Sequence, residues 1–153
     1  MILRLITEAD LPLILAWRSN PLCYQGFVTQ KSPLVWEEHL SWWRGRNQDW
    51  RTFLVLVIED DVERPVGLVN IGQLDHWSPE LGYTIGEVSL WGKGIGKEAV
   101  RLGMEWLKSH GKQYCHTTIR DDNKRSIRLI KSLGFTKLGR AREGESWWHK
   151  KIL

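Results

Sequence analysis

The run Trp91-Gly92-Lys93-Gly94-Ile95-Gly96-Lys97 sets three glycines on alternate positions, between a β-patterned segment and an amphipathic helix. Without a Cβ, glycine lets backbone N–H groups turn toward a ligand and approach it closely. The first turn of a helix leaves N–H groups without partners and carries partial positive charge, which draws phosphate. Lys93 and Lys97 bring cations to the same end. The chemistry this spacing offers is a pyrophosphate cradle.

Several readings compete for the run. A Walker loop requires Ser or Thr after its lysine, and Glu98 follows Lys97. A dinucleotide fingerprint fits Gly94-Ile95-Gly96-Lys97-Glu98-Ala99, with Asp121 and Asp122 at about the distance of a ribose-binding acid. Too little chain follows Asp122, however, for the further β-α units of a doubly wound sheet. A plain glycine turn without a ligand stays open on this run alone.

The run also resembles the acetyl-CoA-binding motif of the GNAT acetyltransferase superfamily, Q/R-x-x-G-x-G/A, with Trp91 in the Q/R position. A second match follows in order and at the expected distance. Asn123-Lys124-Arg125-Ser126, then Leu133-Gly134-Phe135, is similar to the superfamily's N-x-x-S/A…L-G-F helix. The two matches span residues 65–141. The resemblance implies an acetyl-CoA-dependent N-acetyltransferase that passes acetyl directly to a primary amine in a ternary complex. A catalytically silent acyl-CoA-binding module is the alternative, because Ile130 stands where many members carry a thiolate-protonating tyrosine. Tyr83, Tyr114, Ser126 or a water are the substitutes left open.

The same resemblance distributes roles. The backbone of Ile85 and Gly86 should pair with the pantetheine arm. Trp91, Gly92, Lys93, Gly94, Ile95, Gly96 and Lys97 should hold the pyrophosphate. Asn123 and Ser126 should contact the cofactor arm, with N-capping of the next helix as the other role for Asn123. Glu80, ahead of Leu81-Gly82-Tyr83, is the candidate base for the acceptor ammonium; a plain strand-end charge is the competing account. Glu87 sits at the cofactor end and is the weaker choice. Ala16-Trp17-Arg18-Ser19-Asn20-Pro21 and Trp36-Glu37-Glu38-His39-Leu40-Ser41-Trp42 resemble segments of the branch that acetylates nucleotide-linked amino sugars or protein N-termini. Trp17, Arg18 and His39 are therefore the substrate candidates. Against this, His39 simply packs between helices, and the tryptophans of the first two helices are core.

The rest of the chain must position these groups. Its 153 residues, 42% hydrophobic and 26% charged, suit one globular domain over 1–153. Cys23 and Cys115 lack ligand spacing and read as reduced cytoplasmic thiols. No basic region precedes an apolar stretch at Met1-Ile2-Leu3-Arg4, and no run is long enough to cross a bilayer, so neither signal nor membrane contact is expected. The net charge is +4. Its cations gather around the two motifs (Lys93, Lys97, Arg101, Lys124, Arg125, Arg128 and Lys131), which suits a polyphosphate ligand. No nucleic-acid motif accompanies them. The five histidines show no metal spacing.

Local patterns give an α/β (α+β) order of strand, two helices, strands, helix, strand, helix, strands. This matches a mixed, mostly antiparallel sheet of six to seven strands flanked by about four helices. Strands are expected at 1–5, 52–58, 66–75, 81–88, 114–119, 135–141 and 146–152, with a hairpin loop over 59–65. A helix over 94–110 should turn Ala99, Leu102, Gly103 and Trp106 inward, and Asn20-Pro21 should stop the first helix. The acceptor is a small molecule or peptide, and the protein a monomer or homodimer.

Overall fold

A computed structural model describes residues 1–153. Seven strands form one sheet: β1 (Ile2–Leu5), β2 (Arg51–Glu59), β3 (Val62–Gly72), β4 (Glu80–Ile85), β5 (Tyr114–Arg120), β6 (Thr136–Arg142) and β7 (Glu145–Lys151). Their order is β1-β2-β3-β4-β5-β7-β6, and every neighbouring pair is antiparallel except β4–β5. Two helices cover one face, α4 (Ile95–Ser109) and α5 (Lys124–Ser132). On the other side lie α1 (Leu11–Arg18), α2 (Pro21–Tyr24) and α3 (Trp36–Arg44).

Two apolar layers hold this arrangement. On β2 and β3, Phe53, Val55, Val69 and Ile71 point to α4, whereas Leu54, Leu56 and Leu68 meet Ile14 and Trp17 of α1. Such alternation is what a sheet buried on both faces requires. Helix α4 presents Ala99, Val100, Gly103, Met104 and Leu107 to the sheet, a stripe at helical spacing. Leu102 and Trp106 are only half-buried, one position off that stripe; Trp106 packs edge-on to Phe53 and stacks on His110.

Helix α5 ends as the Leu-Gly-Phe signature demands. Gly134 adopts φ +85°, and the N–H of Phe135 returns to the carbonyl of Ile130 at 3.1 Å. That closure seats Phe135 in the main core.

Several boundaries differ from those read in the sequence. The hairpin loop is two residues, Asp60 and Asp61, both at positive φ, and Val62 to Pro65 belong to β3. Pro65 is tolerated there because β4 pairs with β3 only from Gly67 onward, so its missing N–H removes no ladder bond on that side. A bulge beside it shifts the register by one residue, so that Val55 faces Gly67 and Leu56 faces Pro65 with Val66 left between. Strand β4 ends at Ile85, since the N–H groups of Gly86 and Glu87 both converge on the carbonyl of Val66 at 2.9 and 3.2 Å and curl the chain away. Helix α1 stops at Arg18 with Asn20 extended ahead of Pro21, as expected, but Pro21 does more. It opens α2, a fifth helix, with the Asn20 side chain accepting from the N–H of Leu22 at 3.0 Å.

Candidate active site

Strands β4 and β5 share a single registered pair, Glu80 opposite His116, backed by the N–H of His116 donating to Pro79 at 3.0 Å. Beyond it they diverge. Into the gap opens a cleft of about 1050 Å³, with Tyr83, Thr84 and Ile85 on one wall and Thr117, Thr118 and Arg120 on the other. Gly86 donates to β3, and groups alternate along an antiparallel ladder, so Tyr83 and Ile85 turn their backbone toward the gap. Backbone donors and acceptors thus edge a slot that an extended amide-bearing chain can enter as a strand would.

The wide end of the slot is the glycine run. Gly92 and Gly94 have φ +77° and +83°, and a Cβ at either would touch nothing. Their need for glycine is conformational. The first bond of α4 runs from the N–H of Glu98 to Gly94 at 3.1 Å, and the six amides from Gly92 to Lys97 donate to no acceptor within the chain. Such a nest of free N–H groups at a helix start binds anions. Gly96 has a different reason for being glycine. A Cβ there would press on Tyr83 and Leu129 at 3.1 Å, so it brings α4 close to β4 and α5.

Trp91 fixes this end of the cleft. Its Nε1–H donates to the carbonyl of Ile85 at 2.8 Å, and the Arg125 guanidinium lies 3.7 Å from the centre of its ring. The aromatic ring thereby parks a cation beside the free amides. Asn123 caps α5, its Oδ1 accepting from the Ser126 N–H at 3.2 Å, while its Nδ2 makes no bond within the chain and faces Gly26. Tyr83 donates its hydroxyl to Ser126 Oγ at 3.1 Å. Burial raises the Tyr83 phenol, against the smaller lowering by that bond and by Arg125, so it stays protonated.

Of the residues singled out in the sequence, Ile85, Trp91, Gly92, Gly94, Gly96, Lys97, Asn123 and Ser126 line the cleft together. Lys93 is exposed on the turn beside it, and Ile95 packs toward the core. The Gly86 amide is spent on Val66. The three substrate candidates stand behind the cleft. Trp17 is buried in the α1 layer, its Nε1–H reaching Glu87 at 3.3 Å. His39 is wholly buried, bonded to the Leu11 carbonyl at 2.9 Å and stacked on Trp42. Burial lowers its pKa, the Leu11 bond opposes that, and the charge of Arg18 adds to it, so the ring is neutral. Arg18 lies against His39 and over Trp42 at 5.0 Å, itself lowered by burial. Glu80 does not line the cleft but sits on its face, two residues from Gly82, which does.

The sequence reading missed the opposite wall, made by Leu22 to Val28 with Gln30 and Lys31. This stretch has no periodicity, and its role follows from α2 folding over the end of β4: Cys23 Sγ lies 4.0 Å from the Ile85 carbonyl. Tyr114, one substitute acid, is remote, stacked edge-on against Trp77.

The central sheet is thus split after one parallel pair, with free amides at its open end. The sequence profile of the acetyltransferase (GNAT) domain matches residues 1–136, and the chain belongs to that family. It is 49% identical over 147 residues to an uncharacterised protein of Methanocaldococcus jannaschii, an alignment covering 95% of this chain and 30% of that protein's length. The chain thus spans under a third of that relative. A crystal structure of a domain from the same organism superposes with a TM-score of 0.93 at 47% identity, covering 98% of this chain and 97% of that one. The aminoglycoside acetyltransferase AAC(6')-Ib in complex with coenzyme A gives 0.84 at 16% identity, covering 98% and 94%. At that identity the likeness is one of fold.

Proposed function

We propose that this protein is an acetyl-CoA-dependent N-acetyltransferase that acts on a primary amine by direct transfer in a ternary complex. The observation that carries the proposal is the slot between β4 and β5 with six unpaired amides at its mouth. Those amides, Lys97 and Arg125 suit a pyrophosphate, and the inner edges of Tyr83 and Ile85 suit the amides of a pantetheine arm. Acetyl-CoA supplies an activated acetyl group as a thioester.

The chain's own residues supply the rest. Asn123 Nδ2 is a free donor toward the arm. Glu80, on the face where an amine would enter, is the carboxylate that serves deprotonation of the ammonium. Tyr83 with Ser126 stands in the cleft as the proton source for the leaving thiolate, whereas Ile130, in the usual tyrosine position, is 1% exposed within the core. That burial also sustains the second reading, an acyl-CoA-binding module without turnover. The acceptor class follows the resemblance of the first two helices, a nucleotide-linked amino sugar or a protein N-terminus. The two unpaired, buried cysteines accord with a reducing cytoplasm.

Thermal unfolding with acetyl-CoA, desulfo-CoA, NAD and ATP in parallel tests the cofactor. A ligand of the native state alone adds about 2.7 kcal/mol at a hundredfold excess over its Kd. Stabilisation by the two CoA species only is the expected result. Product formation over a panel of amino sugar nucleotides and N-terminal peptides then separates enzyme from module.

A further inference from the structure

The closed end of the slot carries more than Glu80. Glu80 stands opposite His116, and His116 stands opposite His149 on β7. Registered residues of neighbouring strands share a face, so these three side chains form a row on the acceptor side of the sheet, in line with Gly82 and Thr118 of the cleft. Glu80 to Ile85 is about 17 Å of strand. An arm held by the amides at the open end therefore runs down the slot toward this row. Gly82 puts no side chain in between; a Cβ there would meet only Asn70, at 4.0 Å.

His116 is prepared for one task. Its Nδ1 lies 2.7 Å from the Ser78 carbonyl. A carbonyl only accepts, so Nδ1 carries the hydrogen and Nε2 is left with its lone pair, which has no partner within the chain. Ser78 is itself pinned, its N–H donating to His76 Nδ1 at 3.1 Å.

We propose that His116 is the proton acceptor for the incoming ammonium, working as a carboxylate–imidazole pair with Glu80. This rests on the acetyltransferase reading. The ammonium gives one proton to His116 Nε2, and Glu80 offsets the charge on the ring. The freed amine pair forms the C–N bond, the C–S bond breaks with its electrons going to sulfur, and the amine's second proton ends on the thiolate. The other titratable groups around the ring are His149 on β7 and, from the turn before β4, His76, whose carbonyl accepts from Lys112.

His116→Asn tests this, because the Asn amide still donates to Ser78 while the Nε2 lone pair is lost. The expected result is a kcat about a hundredfold lower, a kcat/KM profile without its ascending limb, and an unchanged KM for acetyl-CoA, as for a group that acts only in the transition state. A variant with wild-type kcat and profile overturns the proposal. Ring ¹⁵N spectra of the unliganded protein give a readout independent of turnover. Hydrogen on Nδ1, with ring resonances that move in Glu80→Gln, supports the pair; hydrogen on Nε2, or no response to Glu80→Gln, overturns it. Should no amine be acetylated, the acetyltransferase reading falls and the ring spectra decide the pair on their own.

Discussion

The indole of Trp17 lies so close to Gly86 that a Cβ added there would sit 2.1 Å from the ring. Two residues that the sequence offered for ligand contact thus pack on each other. The contact locks α1 onto the end of β4, and the Trp17 Nε1–H bond to Glu87 secures it. Gly86→Ala should therefore overpack the layer and cost about 1–3 kcal/mol, and Trp17→Ala about 3–5 kcal/mol. Urea unfolding checks both. The double variant should lose less than the sum, since removing the ring makes room for the methyl. Strict additivity would mean that the two residues do not share the space.

The glycine end of the cleft was legible because its constraints are local. Positive φ at Gly92 and Gly94 demands glycine, a free helix start demands no special partner, and both leave their mark within a few residues. The opposite wall was not, because it comes from Leu22 to Val28 with Gln30 and Lys31, whose place depends on α2 packing over a strand sixty residues later. For His39 the packing account that the sequence also offered has a partner in the Leu11 carbonyl, and Arg18 lies against that ring and over Trp42. His116 escaped notice since the Ser78 carbonyl and its register neighbour Glu80 come beside it only across the parallel β4–β5 pair. Element order and types were readable from alternation and from the Leu-Gly-Phe stop; the order of strands in the sheet and the strand ends were not, as at Gly86, where one carbonyl drawing two N–H groups ends β4 early.

Gly94 separates conformational cost from ligand loss. Its φ of +83° lies where a Cβ costs about 1–2 kcal/mol. No atom lies within 4 Å of that Cβ position. Gly94→Ala should lower stability by that amount and keep the fold. Gly94→Asp should cost the same and, in addition, set a negative charge amid the six free amides, so calorimetric binding of acetyl-CoA should vanish. If the Asp variant binds as the Ala variant does, the anion site lies elsewhere.

Asp10 gives stability a pH dependence. Burial by itself would raise its pKa, but the two-pronged Arg4 contact at 2.9 and 3.1 Å, with the Thr7 N–H at 2.7 Å, overrides this and holds the carboxyl below its ordinary value. A lowered folded-state pKa means stability that is whole above the ordinary carboxylate range and lost as pH falls through the lowered value. Asp10→Asn should thus cost about 1 kcal/mol near neutrality, the worth of a helix-start cap. The gap to wild type should close in acid. Parallel unfolding curves at every pH would show that the ion pair contributes nothing.

The two cysteines should label in a fixed order, one of them under the control of the cofactor. Cys115 is fully buried, and burial pushes its thiol up to about 12, the Lys150 charge offsetting little. At pH 8 it is thiolate to roughly one part in ten thousand, and only the thiolate reacts. Its labelling should follow global unfolding. Cys23 is also raised by burial, with Arg125 pulling the other way, yet it lines the cleft that leads to solvent. A disulfide reagent should reach it first and leave Cys115 intact. Saturating acetyl-CoA should then slow Cys23 without changing Cys115, because an arm in the slot covers the Ile85 carbonyl that the thiol faces. Equal protection of both thiols would report general stabilisation, and no protection of Cys23 would move the arm out of the β4–β5 slot.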